Sequence, residues 1–255
     1  MIDSHCHIYL DEFIADRKEI IDRAISSGIT KMVLPNIDSS SVSQMTELNA
    51  QYPGVFINTL GLHPTSVKSD YKKQLEIIFS NNILINGIGE TGIDLYWDKT
   101  FIKEQQESFD YQLDKACKLK LPIIIHSRNS LNEVIDIAKN YVSKGIAGVF
   151  HCFPGNKEEA KKVIDLGFYI GIGGVLTYKN NNMTEVVSEI PLENILTETD
   201  SPYLTPVPFR GKRNEPYYLK YIVEKIAEIK NCDKTTVDNI TAENCKRLFN
   251  LKNSI

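Results

Sequence analysis

The feature that most constrains this chain is a regular alternation of two kinds of segment. Short runs rich in Val, Ile, Leu and Phe recur at residues 1–4, 31–35, 55–60, 83–88, 122–125, 146–150, 168–172 and 194–196. Apolar runs of this length suit strands covered on both faces, as in a parallel sheet. Between them lie segments with helical spacing. Residues 16–27 set Ile20, Ile21, Ala24 and Ile25 on one face and stop at Gly28, a residue suited to end a helix. Residues 101–118 do the same with Phe109, Leu113, Ala116 and Cys117. Residues 158–165 stop before Gly167, Pro216 opens a helix through Tyr221, Ile222, Ile226 and Ile229, and residues 235–248 form the last one. Eight strands alternating with helices give a closed parallel barrel or a doubly wound open sheet. A (β/α)₈ barrel takes about 250 residues, so one such unit accounts for residues 1–255.

Bulk properties narrow the function. The net charge of −4 argues against nucleic-acid binding by overall surface charge, and leaves room for local positive charge supplied partly by metal ions. No apolar stretch approaches the roughly 20 residues of a membrane span. The first residues run straight into a strand with no basic-then-apolar leader. Five scattered cysteines read as free thiols of a reducing compartment. The expectation is a cytoplasmic protein without a membrane partner.

The chain has five histidines: His5, His7, His63, His126 and His151. Four fall at or just after the C-terminal end of a predicted strand, and His63 follows the third. Parallel barrels gather those ends on one face, where their active sites lie. A lone histidine is more often an ordinary core or surface residue, but that explains the whole set poorly. His5-Cys6-His7 alternates along an extended chain, so both rings face one side and can grip one divalent ion. Cys6 then faces the helices as a small buried hydrophobe. Glu90 follows Gly87-Ile88-Gly89, and a carboxylate there can bridge two ions, one oxygen to each. Asp200 follows the eighth run; its bland alternative is a helix N-cap beside Ser201-Pro202. Glu198 faces the same way one layer deeper and ranks below it.

Gly87-Ile88-Gly89-Glu90-Thr91-Gly92 matches the Gly-x-Gly-x-x-Gly dinucleotide fingerprint, but no helix start follows at once, so no nucleotide cofactor is expected. Arg128, Arg210, Lys212 and Arg213 are candidates for holding phosphate. Arg128 and Arg210 rank first, since a guanidinium can take two phosphate oxygens. Gly155-Asn156 offers further donors or a simple turn.

These motifs resemble those of one family, the TatD-type metal-dependent deoxyribonucleases of the amidohydrolase superfamily. The matching segments are Ile2-Asp3-Ser4-His5-Cys6-His7, Gly61-Leu62-His63-Pro64, Gly89-Glu90-Thr91-Gly92-Ile93-Asp94, Leu121 through Arg128, His151-Cys152-Phe153, Thr197 through Leu204 and Arg210 through Pro216. The resemblance implies a (β/α)₈ TIM barrel with a dinuclear metal site at the C-terminal face of its strands. It implies two divalent cations (Mg, Mn or Zn), one held by His5, His7, Glu90 and Asp200 and the other by Glu90, His126 and His151. It also implies cleavage of DNA phosphodiester bonds from the 3′ end. On this reading Asp200 accepts the proton of the attacking water, Glu90 bridges the ions, and His63 bonds a phosphate or the leaving oxygen. Arg128 and Arg210 hold substrate, and single-stranded ends are preferred because the loops after the strands look short. Two positions depart from the family: Tyr9 replaces a short acidic or amide residue, and Asn129-Ser130-Leu131-Asn132 replaces Thr or Ala followed by an acid. A related amidohydrolase acting on a small ester, amide or aminoacyl-tRNA ester is the first alternative, disfavoured because no lysine lies near Glu90 to be carboxylated. A non-enzymatic binding protein is the second, disfavoured because all six candidate ligands are present.

Overall fold

The computed structural model describes residues 1–251. Among them, strands and helices alternate. The order is β1 (Ile2–Asp3), α1 (Arg17–Ser26), β2 (Lys31–Pro35), α2 (Ser41–Gln51), β3 (Phe56–Leu60), α3 (Tyr71–Ser80), β4 (Gly87–Asp94), α4 (Ile102–Leu119) and β5 (Ile123–Arg128). It continues through α5 (Leu131–Ala138), β6 (Gly148–Phe150), α6 (Lys157–Asp165), β7 (Tyr169–Ile172), α7 (Met183–Glu189), β8 (Ile195–Thr197), α8 (Leu219–Lys230) and α9 (Lys234–Leu248). The strands pair in chain order, all parallel, from β1 to β8. Backbone bonds from Ser4 N to Thr197 O (3.0 Å), Asp200 N to His5 O (2.9 Å) and His7 N to Ser201 O (2.8 Å) join β8 back to β1. The sheet is therefore a barrel rather than an open one.

Strand alternation sets the layers. Ile123 and Ile125 of β5 face outward into the core shared with Phe109, Leu113 and Ala116 of α4. Ile124 faces inward, with Ile2, Val33, Ile57, Val149 and Leu196, onto Cys245, Leu248 and Phe249 at the end of α9. These residues plug the barrel at its floor. Continuing each strand by two residues on the inward face gives His126 above Ile124, His151 above Val149 and Glu198 above Leu196. The same period-two geometry that buries the plug thus stacks polar side chains directly over it.

The fourth strand differs from the reading above. The apolar run at 83–88 lies mostly before β4, with Ile83 and Ile85 packed on the α3 cluster. The whole Gly87–Asp94 segment, Gly-x-Gly-x-x-Gly run included, is strand, and α4 starts only at Ile102. Ile88 pairs with Ile123 and Thr91 with Ile125, so Gly89 and Glu90 together oppose Ile124. This one-residue bulge turns Glu90 inward; strict alternation from the outward Ile88 would have sent it toward the helices. Gly92, opposite His126, has φ +140, and a Cβ there would lie 2.0 Å from His126 O.

The segment after β8 is long, running from Glu198 to Glu215 before the short helical turn Pro216–Tyr218, so the expectation of uniformly short loops fails there. Asn214, fully buried, stitches it together: its Nδ2 donates to Thr199 O (2.8 Å) and Tyr203 O (2.6 Å). Arg213 ties the same segment to Asp16 at 2.5 Å. No helix among the described residues is long and apolar enough to cross a membrane. Asn214→Ala should lower stability by about 2–3 kcal/mol, because it leaves buried carbonyls without donors. Urea unfolding would check this; a shift within error of zero would mean that water replaces the side chain.

Candidate metal centre

All five histidines converge on one carboxylate at the barrel mouth. Glu90 is buried, and its two oxygens face different partners. Oε2 lies 3.1 Å from His5 Nε2 and 3.5 Å from His7 Nε2. Oε1 lies 3.0 Å from His126 Nδ1, 3.3 Å from His63 Nε2 and 3.6 Å from His151 Nε2. Asp200 Oδ1 sits 3.7, 3.6 and 4.0 Å from His5, His7 and His151. The N-cap reading of Asp200 does not hold, since no helix starts there. Its backbone is left-handed (φ +57) and its carbonyl accepts from Tyr203 N at 2.8 Å. Asp tolerates that conformation better than most residues, and here it aims the carboxylate into the cavity.

The rings are held from behind. Tyr9, the departure noted above, places its hydroxyl 3.0 Å from His7 Nδ1 and donates to Pro35 O at 2.5 Å, which leaves it to accept from His7. Asp94 Oδ2 lies 3.0 Å from His126 Nε2. Glu198 Oε1 is 3.1 Å from His151 Nδ1, close but poorly aligned for a hydrogen bond, and accepts from Cys152 N at 2.5 Å. Room for Glu198 comes from Gly171 on β7, where a Cβ would sit 2.7 Å from its Oε2. Sequence reasoning missed Asp94, although it stands four residues beyond Glu90 on the same strand; its inward direction follows only from the bulge. His63 is fixed differently. Its Nδ1 accepts from Thr65 N at 3.2 Å, so the neutral ring carries its proton on Nε2, toward Glu90 and the cavity. Asp3 accepts from Thr199 N (2.9 Å) and Oγ1 (2.6 Å), locking β1 to the segment that carries Asp200.

The electrostatics follow from burial and crowding. Burial pushes Glu90 upward, but His63, His5 and His151 outweigh it and hold its carboxyl well below the usual range. Burial raises Asp200 to about 6 against the pull of His151 and His7. His151 is driven down by burial but more strongly up by Glu198, Glu90 and Asp200, to about 10. Burial and the neighbouring His151 push His5 well below its ordinary value.

The donor set itself tests whether a metal fits. His5 Nε2 and His7 Nε2 are 3.1 Å apart, and the groups nearest them are the Glu90 and Asp200 oxygens. Mutually facing lone pairs in a buried place are what a cation resolves. His5, His7 and Asp200, and separately His63, Glu90 and His126, each bring ligand atoms within 4.8 Å of one another. A third such group is His5, His151 and Glu198. The arrangement can hold two cations with Glu90 between them, and nitrogen and oxygen donors of this kind accept zinc, manganese or magnesium.

The centre opens into a cavity of about 850 Å³ lined by His7, His63, Asp94, Trp97, His126, Arg128, His151, Asp200 and Tyr203, among others. Arg128 therefore joins the site. Arg210 does not line the cavity; exposed, it stacks on the Tyr178 ring at 4.0 Å. Arg213 turns away to Asp16, Lys212 lies over Phe209, and Asn156 is the cap of α6 with Glu159.

A closed parallel barrel with a histidine–carboxylate centre at the C-terminal ends of its strands is the arrangement of a metal-dependent hydrolase. Residues 2–250 match the family model described as TatD related DNase. The chain is 37% identical to the uncharacterized metal-dependent hydrolase YabD of Bacillus subtilis, covering 98% of this chain and 99% of that one. It is 30% identical to the 3′-5′ ssDNA/RNA exonuclease TatD of Pectobacterium parmentieri, over 98% of this chain and all of that one. The crystal structure of YJJV, a TatD homolog from Escherichia coli, superposes with a TM-score of 0.92 at 27% identity, covering 99% and 98% of the two chains. The chain belongs to the TatD-related DNase family and is a metal-dependent hydrolase.

Outer partners that orient ligand histidines typically contribute 10–100-fold to metal affinity. Glu198→Gln, which keeps the shape and removes the charge behind His151, should weaken metal binding by about that factor. Competition against a chromophoric chelator measures it, and an unchanged affinity would make Glu198 a packing residue only.

Proposed function

We propose that this hydrolase removes nucleotides from the 3′ ends of single-stranded DNA. The observation that carries the reading is the divided Glu90 carboxylate, with one oxygen on the His5–His7 side and the other on the His126–His151 side. With its two oxygens facing different histidines, Glu90 would serve both of two cations. When bound, such ions supply Lewis acidity toward a phosphoryl oxygen and acidify water near neutral pH. His5, His7, Glu90 and Asp200 would hold one, and Glu90, His126 and His151 the other. Asp200, which lines the cavity, accepts the proton of the attacking water. His63 presents its Nε2 proton to the phosphate or the departing oxygen. Arg128 neutralises a phosphate at the mouth, and Arg210, farther out on Tyr178, meets the strand beyond it. Further support is the family description as a DNase and the name of the Pectobacterium relative, a 3′-5′ exonuclease of single-stranded DNA and of RNA. A cavity rather than an open trench admits a strand end more readily than the interior of a duplex.

Three outcomes are expected. Chelator should abolish cleavage of 3′-labelled single-stranded DNA and a divalent ion should restore it; full activity after dialysis in excess chelator would sink the mechanism. Glu90→Ala should lose both ions together by elemental analysis, since each depends on the same carboxylate. Asp200→Asn keeps size and one carbonyl oxygen but cannot take a proton, so turnover should fall about 10²–10⁴-fold. Single-turnover rates on linear single-stranded, blunt duplex and closed circular DNA complete the test. Faster cutting of the circle than of the free end, or turnover of small esters alone, would refute the exonuclease reading.

A further inference from the structure

Trp97 is the only tryptophan of the chain. It is 67% exposed, on the segment that follows β4. A large ring left in water at the rim of this cavity calls for a reason, and its surroundings supply one. The cavity that holds His63, His126 and Asp200 is also lined by Trp97 and Arg128. Tyr96 meets Trp97 edge to face, with ring centres 4.8 Å apart at 90°. The Arg128 guanidinium lies 3.7 Å from the centre of Tyr96 and 5.4 Å from that of Trp97. Behind them, Asp94 fixes the backbone: its Oδ1 accepts from Tyr96 N (2.9 Å) and Trp97 N (3.3 Å), while its Oδ2 holds His126. One carboxylate therefore ties the exposed ring and a candidate metal ligand into a single unit.

We propose that Trp97, backed by Tyr96 and Arg128, is the stacking face for the base of a nucleotide adjoining the cleaved phosphate. The inference rests on the nuclease reading and deepens it. A nucleotide presents a flat π surface beside a negative charge. This corner of the cavity presents a flat ring beside a guanidinium, and the backbone that carries the ring is already fixed by Asp94. Stacking takes any base, because every base has a π face, and it reaches only bases free of pairing, which fits a single-stranded end. Trp97 also borders a neighbouring cleft of only about 30 Å³, too small for a base, so a base can meet the ring only from the larger cavity.

Because Trp97 is the sole tryptophan, its own fluorescence reports the contact. The metal-loaded enzyme is titrated with a short oligothymidylate carrying non-cleavable phosphorothioate linkages, and with an abasic sugar-phosphate strand of equal length. The base-bearing strand should quench the emission and saturate, and the abasic strand should not. Trp97→Ala should raise KM for cleavable single-stranded DNA by about 5- to 150-fold, the range for losing one base–aromatic stack, with Trp97→Phe recovering most of it. Metal content should stay unchanged in both variants. Equal binding of the two strands, or cleavage by Trp97→Ala with an unaltered KM, would overturn the stacking face while leaving the nuclease standing. If the wild-type enzyme neither binds nor cuts single-stranded DNA, the nuclease reading fails and this inference falls with it.

Discussion

The constraint on which the rest depends is one buried carboxylate. Glu90 sits near the barrel axis, out of water, where an ionised group is costly unless compensated. Its compensation is the ring of five imidazoles drawn from the ends of β1, β3, β5 and β6. Asp94 and Tyr9 hydrogen-bond two of those imidazoles from behind, and Glu198 stands as a charge behind a third. A chain of this kind cannot lose one member quietly, since each removed partner leaves another polar group buried and unpaired. The centre and the fold are thus one structure. The strand pairing gathers the rings, and the rings make the inward carboxylate tolerable.

Much of this was legible in the sequence because it depends on where strands end and on their alternation. The runs at 122–125 and 146–150 put His126 and His151 at the C-terminal ends of two strands, and so on the mouth of a barrel. Alternation set His5 and His7 on one side and made Glu198 the deeper neighbour of Asp200. Glu90 was found for a weaker reason, its place beside a glycine-rich motif. Its direction depends on the bulge opposite Ile124, and single-strand periodicity carries no signal for an inserted residue. Asp94 was missed for the same cause. The short helices α2, α3, α5 and α7 went unread because, unlike the equally short α1 and α6 with Gly28 and Gly167 two residues past their ends, they have no glycine there to mark a stop. Arg210 shows a different limit. Its neighbours in sequence are those of Asp200, but the left-handed turn at Asp200 and the long segment that Asn214 and Arg213 secure carry it to the rim, over Tyr178.

The mouth of the barrel is built for rigidity. Asn129, Cys152, Asp200 and Leu204 all adopt left-handed backbone in the segments that follow β5, β6 and β8. Such conformations persist only where surrounding contacts over-determine them. Here those contacts include the bond from Cys152 N to Glu198 and those from Asn214 to Thr199 and Tyr203. Side chains that must meet a ligand are therefore held by backbone that cannot relax easily, which is how a site keeps its geometry without the ligand.

Charge gives the last link. The chain carries −4 overall, and its cavity gathers Glu90, Asp94 and Asp200 with Glu198 just below. Among the residues lining that cavity Arg128 is the fixed cation, and it is partly engaged with Tyr96. A phosphate approaching this floor without metal meets mostly carboxylate, and the histidines can offset it only while protonated. Two divalent ions reverse the sign of the same surface. On the reading proposed here, affinity for cation and affinity for polyanion must then be coupled, and linkage makes the coupling reciprocal: substrate tightens metal by the factor by which metal tightens substrate. The neutral stacking face at Trp97 stands outside that exchange. It contributes affinity that does not depend on the charge of the floor, which is what an acidic barrel needs if it is to hold a nucleic-acid end long enough for the centre to act.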